Sequence, residues 1–152
     1  MGNISTNAMI LLCFVAVLCS CLSCVNGGPP LPWDKFTLHV SNGISDSSNL
    51  LYVHCRSKDD DMGVQYLSFN QERHWKFGTT IFGKLTHFTC DFKWGEKSRS
   101  FEAFVDGVES NFCQSTLNVY WRAAMDGIYF GCSDNPGIKR CVWDQNIECS
   151  GP

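Results

Sequence analysis

Apolar and polar residues alternate with a period of two along several short stretches of this chain, and no long window carries the three-and-four spacing of an amphipathic helix. The clearest case is Phe88, Cys90, Phe92 and Trp94 interleaved with Thr89, Asp91 and Lys93. Successive side chains of a strand point to opposite faces, so this run predicts one buried face and one wet face. Phe36, Leu38 and Val40 against Thr37, His39 and Ser41 predict a second strand. Leu51, Val53 and Cys55 against Tyr52 and His54 predict a third, with Cys55 and Cys90 on coreward positions. Shorter candidates cover 63–68, 74–77, 101–105, 117–122 and 128–130.

Turn-rich pieces separate these runs: SNGISDSSN, SKDDDMG, KWGEKS, VDGVES and MDG. Many short strands joined by Gly, Asp and Asn turns predict an all-β domain, a small antiparallel β-sandwich or barrel with hairpins between neighbours. Before the first strand, Gly27 to Pro32 holds three prolines and two glycines and reads as a lead-in arm without regular hydrogen bonding. After the last, the stretch from Cys132 to Cys149 reads as an irregular tail held down by disulfides. No repeat or second domain interrupts the pattern.

Composition narrows the function. The 152 residues carry 12 Lys and Arg against 15 Asp and Glu, a formal charge of −3, which argues against nucleic-acid binding driven by bulk positive charge. Apolar residues make up 44% and charged ones 18%, enough to bury a core and too little charge for a self-repelling tail.

Ten cysteines in so short a chain point to an oxidising compartment or a metal site, and the N-terminal segment favours the first. Residues 9 to 22, MILLCFVAVLCSCL, are too short to span a bilayer and have the length of a secretory apolar region. Residues 1–27 are therefore expected to be a signal peptide, and 28–152 one secreted domain without direct membrane insertion. Gly2 and Thr6 also fit the loose myristoylation pattern, whose consequence would be a cytosolic protein with reduced thiols. Cleavage near Gly27 would leave Cys55, Cys90, Cys113, Cys132, Cys141 and Cys149. An even set predicts a disulfide framework whose pairing spacing alone leaves open. None of the six stands in a C-x₂₋₄-C pair, so no structural zinc is expected on them.

Candidate chemistry is sparse. His39, His54, His74 and His87 could serve acid–base catalysis, but none stands in a catalytic motif, and the first two fall on the polar phase of their strands. Lys58-Asp59-Asp60-Asp61 offers clustered carboxylates without the spacing of a calcium loop, so a solvated acidic turn is expected. Phe69, Trp75, Phe77, Phe82, Phe88, Phe92 and Trp94 are read as packing rather than as a platform for glycans or bases. No catalytic residue, cofactor or metal is expected.

The order of several motifs resembles one family. Leu51-Tyr52-Val53-His54-Cys55-Arg56-Ser57-Lys58-Asp59-Asp60-Asp61-Met62-Gly63 comes first, followed by Trp75-Lys76-Phe77, Phe82-Gly83 and Phe88-Thr89-Cys90-Asp91-Phe92-Lys93-Trp94. Phe101-Glu102-Ala103-Phe104 and Trp121-Arg122-Ala123-Ala124-Met125-Asp126-Gly127-Ile128-Tyr129 complete the series. Together they resemble the plant self-incompatibility S-protein family, including the poppy-type stigma S proteins. The resemblance implies a secreted β-sandwich without catalytic activity. For the poppy-type members it implies a stigma ligand, read by a pollen plasma-membrane receptor to reject self pollen. Other homologues act elsewhere, in roles that could be developmental, defensive or carbohydrate-binding.

The chain departs from the family where many homologues carry a cysteine just before the tryptophan, since Val119 and Tyr120 precede Trp121 here. Cys132, Cys141 and Cys149 are thus all open as partners of Cys113, and a Cys55–Cys90 link is expected. A ribonuclease, the other chemistry of plant self-incompatibility, is disfavoured because the histidine signatures of that family are missing. Contact with the receptor is expected through turns, which can vary and display charge on a rigid scaffold. The expected contact residues are Asp106, Glu109, Ser110 and Asn111, and after them Asp59, Asp60 and Asp61. The protein is expected to act as a monomer.

Overall fold

The computed structural model describes residues 35–79, 85–144 and 149. The expected signal peptide, the lead-in arm and Phe82 lie outside the described residues. Among the described residues, nine strands and one short helix follow in chain order. They are β1 (Lys35–Asn42), β2 (Leu51–Arg56), β3 (Asp61–Leu67), β4 (Glu72–Gly78), β5 (His87–Trp94) and β6 (Lys97–Val105). After these come α1 (Glu109–Phe112), β7 (Asn118–Ala124), β8 (Gly127–Gly131) and β9 (Ile138–Cys141).

The strands form two sheets, one five-stranded in the order β4-β1-β7-β8-β9 and one four-stranded in the order β3-β2-β5-β6. Phe36, Leu38, Val40, Val119 and Trp121 from the first sheet meet Leu51, Val53, Phe88, Phe92 and Phe104 from the second in one buried cluster. Aromatic rings cross the interface in tilted contacts, Phe36 to Phe104 at 5.2 Å and Phe101 to Trp121 at 4.6 Å between centroids. This is the disulfide-stabilised β-sandwich that the alternation predicts.

Three features differ from the sequence-based expectation. First, one pairing is parallel: β1 runs beside β7, with His39 opposite Tyr120. Parallel neighbours need a long crossover, and here five strands of the chain intervene. Second, the tail contains a strand, β9, on the edge of the five-stranded sheet. Its Ile138 is exposed while Arg140 is buried, which inverts the usual pattern. Third, KWGEKS is mostly strand, because Trp94 already pairs with Lys97 and only Gly95 and Glu96 turn the hairpin. Gly95 makes so tight a turn possible at φ +57°.

Three disulfides join Cys55 to Cys90, Cys113 to Cys132 and Cys141 to Cys149. The first links residues directly opposite on β2 and β5, as expected, and the second settles the partner of Cys113. Bridges closing 35 and 19 residues contribute about 3–4 kcal/mol each through loss of unfolded-chain entropy.

Candidate functional site

The register of the four-stranded sheet places both predicted turns at one end of the molecule. Arg56, the last residue of β2, pairs with Thr89 near the start of β5, and His87 pairs with Val105 at the end of β6. Residues 57–60 and 106–108 therefore leave the sheet on the same side. The Asp106 N–H bonds the Thr86 carbonyl at 3.0 Å, and the Thr86 hydroxyl bonds the Gly78 carbonyl at 3.3 Å, so the end of β4 joins this rim. A cleft of about 860 Å³ opens there, lined among others by Arg56, Lys58, Asp59, Asp60, Trp75 and Phe77.

The acidic turn is held by its own side chains. Ser57 Oγ accepts from the Asp60 N–H at 2.9 Å and from that of Asp59 at 3.3 Å, while the Ser57 N–H bonds the Asp60 carbonyl at 2.7 Å. Asp61 Oδ1 accepts from the Gly63 N–H at 2.8 Å and meets His54 Nε2 at 2.8 Å. Those contacts, the Gly63 amide foremost, hold the Asp61 carboxyl below the usual range. Asp59 and Asp60 are left exposed with their carboxylates outward, whereas Asp61 is occupied within the turn.

The second turn requires a correction. Glu109 is 2% exposed and Ser110 fully buried, so neither presents its side chain to a partner. Glu109 Oε2 accepts the Val105 N–H at 2.8 Å and its Oε1 faces Arg140 Nη2 at 3.5 Å. Ser110 Oγ accepts the Gly107 N–H at 2.7 Å and donates to Asp106 Oδ1 at 3.0 Å. The physical reason is local: the turn closes into α1, which rolls these two residues inward to satisfy backbone donors. Asn111 stays exposed and Asp106 half-exposed.

Each of the four histidines sits beside a carboxylate. His54 faces Asp61, and His87 Nε2 lies 3.0 Å from Glu102. His39 and His74 share Glu72, at 2.8 and 3.8 Å from their Nδ1 atoms. They stand opposite one another in register on β1 and β4. His39 stacks on Tyr120 at 4.1 Å, and burial raises the Tyr120 phenol above its usual range, with Glu72 and Asp134 adding to this. His39, Glu72 and His74 are the residues that could hold a metal ion among those described. The sequence hides this group because His39 lies 33 residues before Glu72 and its neighbour His74. Only the outward phase of His39 and His74, at predicted strand positions, hints at it. The six cysteines are all in disulfides, which removes thiol nucleophiles from this part of the chain.

The fold and its bridges define a small disulfide-stapled β-sandwich that displays charged turns at one end. Comparison with known proteins gives its family. The sequence profile described as plant self-incompatibility protein S1 matches residues 37–143. S-protein homolog 2 of Arabidopsis thaliana is 35% identical over 99 residues, 63% of this chain and 60% of that protein. S-protein homolog 5 of the same plant is 32% identical over 101 residues, 66% of this chain and 74% of that one. A solved structure at TM-score 0.52 and 25% identity covers 73% of this chain and 96% of its own. It represents the self-incompatibility protein homologues, described as a widespread family of small, highly stable, secreted proteins from plants. The chain belongs to this plant self-incompatibility S-protein family and is a small secreted protein.

Proposed function

We propose that this protein is a non-enzymatic signalling ligand, the stigma determinant of gametophytic self-incompatibility, recognised by a pollen plasma-membrane receptor that then arrests self pollen. The observation that carries the reading is the shared position of the 57–60 and 106–108 turns at one end of a disulfide-locked scaffold. Exposed Asp59 and Asp60 of the first turn, Asp106 of the second and Asn111 of α1 form the contact set; Glu109 and Ser110 support it from within. The protein works without cofactor or nucleic acid and as a monomer.

Refolded, disulfide-intact protein applied to pollen of matched and unmatched genotypes should stop growth of the matched pollen alone. The double variant Asp59→Ala, Asp60→Ala should fold and lose that effect. Because His74, His87 and Lys58 all border the cleft, RNA turnover is the control to measure. Cleavage of RNA that disappears with His87→Ala would replace this reading by an enzymatic one.

A second reading rests on the relatives, which are S-protein homologues of Arabidopsis thaliana. Their similarity supports a secreted homologue with a developmental, defensive or carbohydrate-binding role. Expression confined to the stigma favours the first reading and broad expression the second.

A further inference from the structure

We propose that His39, Glu72 and His74 form a binding site for one divalent transition-metal ion of the zinc or copper type, on the outward face of the five-stranded sheet. The three ligand atoms lie within 4.8 Å of one another. Tetrahedral zinc with bonds near 2.0–2.1 Å sets its ligand atoms about 3.3 Å apart. The separations of 2.8 Å from Glu72 to His39 and 3.8 Å from Glu72 to His74 bracket that value. Glu72 and His74 are exposed and can close the difference by side-chain rotation.

The hydrogen bonds around His39 carry the argument further. Asn118 Nδ2 donates to the Thr116 carbonyl at 2.6 Å, which orients the amide and aims Oδ1 at His39 Nε2, 3.0 Å away. An amide oxygen only accepts, so Nε2 carries a proton and Nδ1 is the atom turned to Glu72. A ring nitrogen and a carboxylate oxygen 2.8 Å apart are both acceptors unless a cation lies between them. A metal ion can fill that place when His74 supplies the third ligand. Protein-bound metals commonly have this arrangement, an imidazole ligand whose far N–H is held by a carbonyl oxygen. Two imidazoles and one carboxylate select zinc or copper over calcium and magnesium, which prefer oxygen alone. The fourth position faces solvent. Since β4 is the edge strand of its sheet, the ion would clamp that edge to its neighbour β1.

Calorimetric titration of the disulfide-intact, metal-stripped protein with Zn²⁺ tests the site, with Ca²⁺ and Mg²⁺ as comparators. One equivalent of Zn²⁺ should bind and raise the melting temperature, and the comparators should do neither. His74→Ala and Glu72→Gln, both on exposed side chains, should each weaken Zn²⁺ binding at least about tenfold, and Asn118→Ala about 10–100-fold with all three ligands intact. His87→Ala, which alters a different exposed histidine–glutamate pair, should bind as the wild type does. The proposal fails if wild-type protein shows no saturable one-to-one binding. It fails equally if His74→Ala and Glu72→Gln bind unchanged, or if His87→Ala is the variant that loses the ion.

Discussion

Arg140 of β9 lies against Glu109 of α1, Nη2 to Oε1 at 3.5 Å, with both side chains almost wholly withdrawn from water. The guanidinium also covers the Phe130 ring at 4.8 Å and the Trp121 ring at 5.6 Å. Burial lowers the Arg140 pKa from its usual value, while Glu109 opposes that shift. Removing Glu109 takes the carboxylate away from a guanidinium that is itself buried. Glu109→Ala should therefore destabilise the fold by about 3–5 kcal/mol in chemical denaturation, whereas Asn111→Ala on the exposed side of the same helix should cost under about 1 kcal/mol. Equal effects would mean that Glu109 does not act from inside.

Trp121 joins the sheets through a defect in one of them. Phe104 pairs with Phe88 and Glu102 with Thr89, so Ala103 between them is a bulge without a ladder partner. The Trp121 indole N–H, on the opposite sheet, donates to that spare carbonyl at 2.8 Å. Trp121→Phe keeps an aromatic ring but leaves the carbonyl without its donor in the core. A loss of about 2–4 kcal/mol is expected, combining the unmet acceptor with the lost volume. A loss below about 1 kcal/mol would show that the carbonyl finds another donor.

The sandwich was legible wherever one face of a strand is buried, because Phe88, Cys90 and Phe92, or Phe36, Leu38 and Val40, write their phase into the sequence. It was illegible at β9, where Ile138 is exposed and Arg140 two residues on is buried, because the register shifts at Arg140 and breaks the alternation. Nothing local announces that Arg140 will meet Glu109, 31 residues earlier in the chain. The same ion pair explains why an acidic residue in a polar turn was read as a surface contact: polarity predicts exposure until a buried partner reverses it. The acidic turn at 57–61 was readable as a turn, but which of its exposed carboxylates ties it together, Asp61, depends on where Gly63 and His54 stand in space.

Gly127, in the Asp126-Gly127-Ile128-Tyr129 segment, is set by a close approach rather than by its turn alone. A Cβ there would sit 2.4 Å from the Cys141 carbonyl oxygen, on the neighbouring strand, at a φ of +153°. Since that oxygen is backbone, it cannot swing aside. Gly127→Ala should push β9 off β8 and cost about 1–3 kcal/mol or more, with faster amide exchange in β9 than in β1. Uniform exchange across the sheet would show that the strain is absorbed elsewhere.

Acid should loosen the proposed contact turn before it unfolds the sandwich. The Gly63 N–H and the His54 ring hold the Asp61 carboxyl below its ordinary value. A depressed carboxyl pKa adds stability that is fully present above the unfolded value, about 3.9, and is lost as pH falls through the lower folded value. The turn should therefore be intact at neutral pH and open only below about pH 4. The Gly63 amide proton, which donates to Asp61 Oδ1 at 2.8 Å, reports on this directly. Its NMR shift should titrate with a midpoint under about 3.9, and Asp61→Asn should abolish the step. The near-UV circular dichroism of the buried Trp121 should hold over the same range, because the core stays packed while the turn opens. Receptor binding that depends on Asp59 and Asp60 should weaken along with the Gly63 signal. A midpoint at or above the ordinary carboxylate value would show that Asp61 does not tie the turn together, and binding that persists once the turn has opened would separate recognition from this end of the molecule.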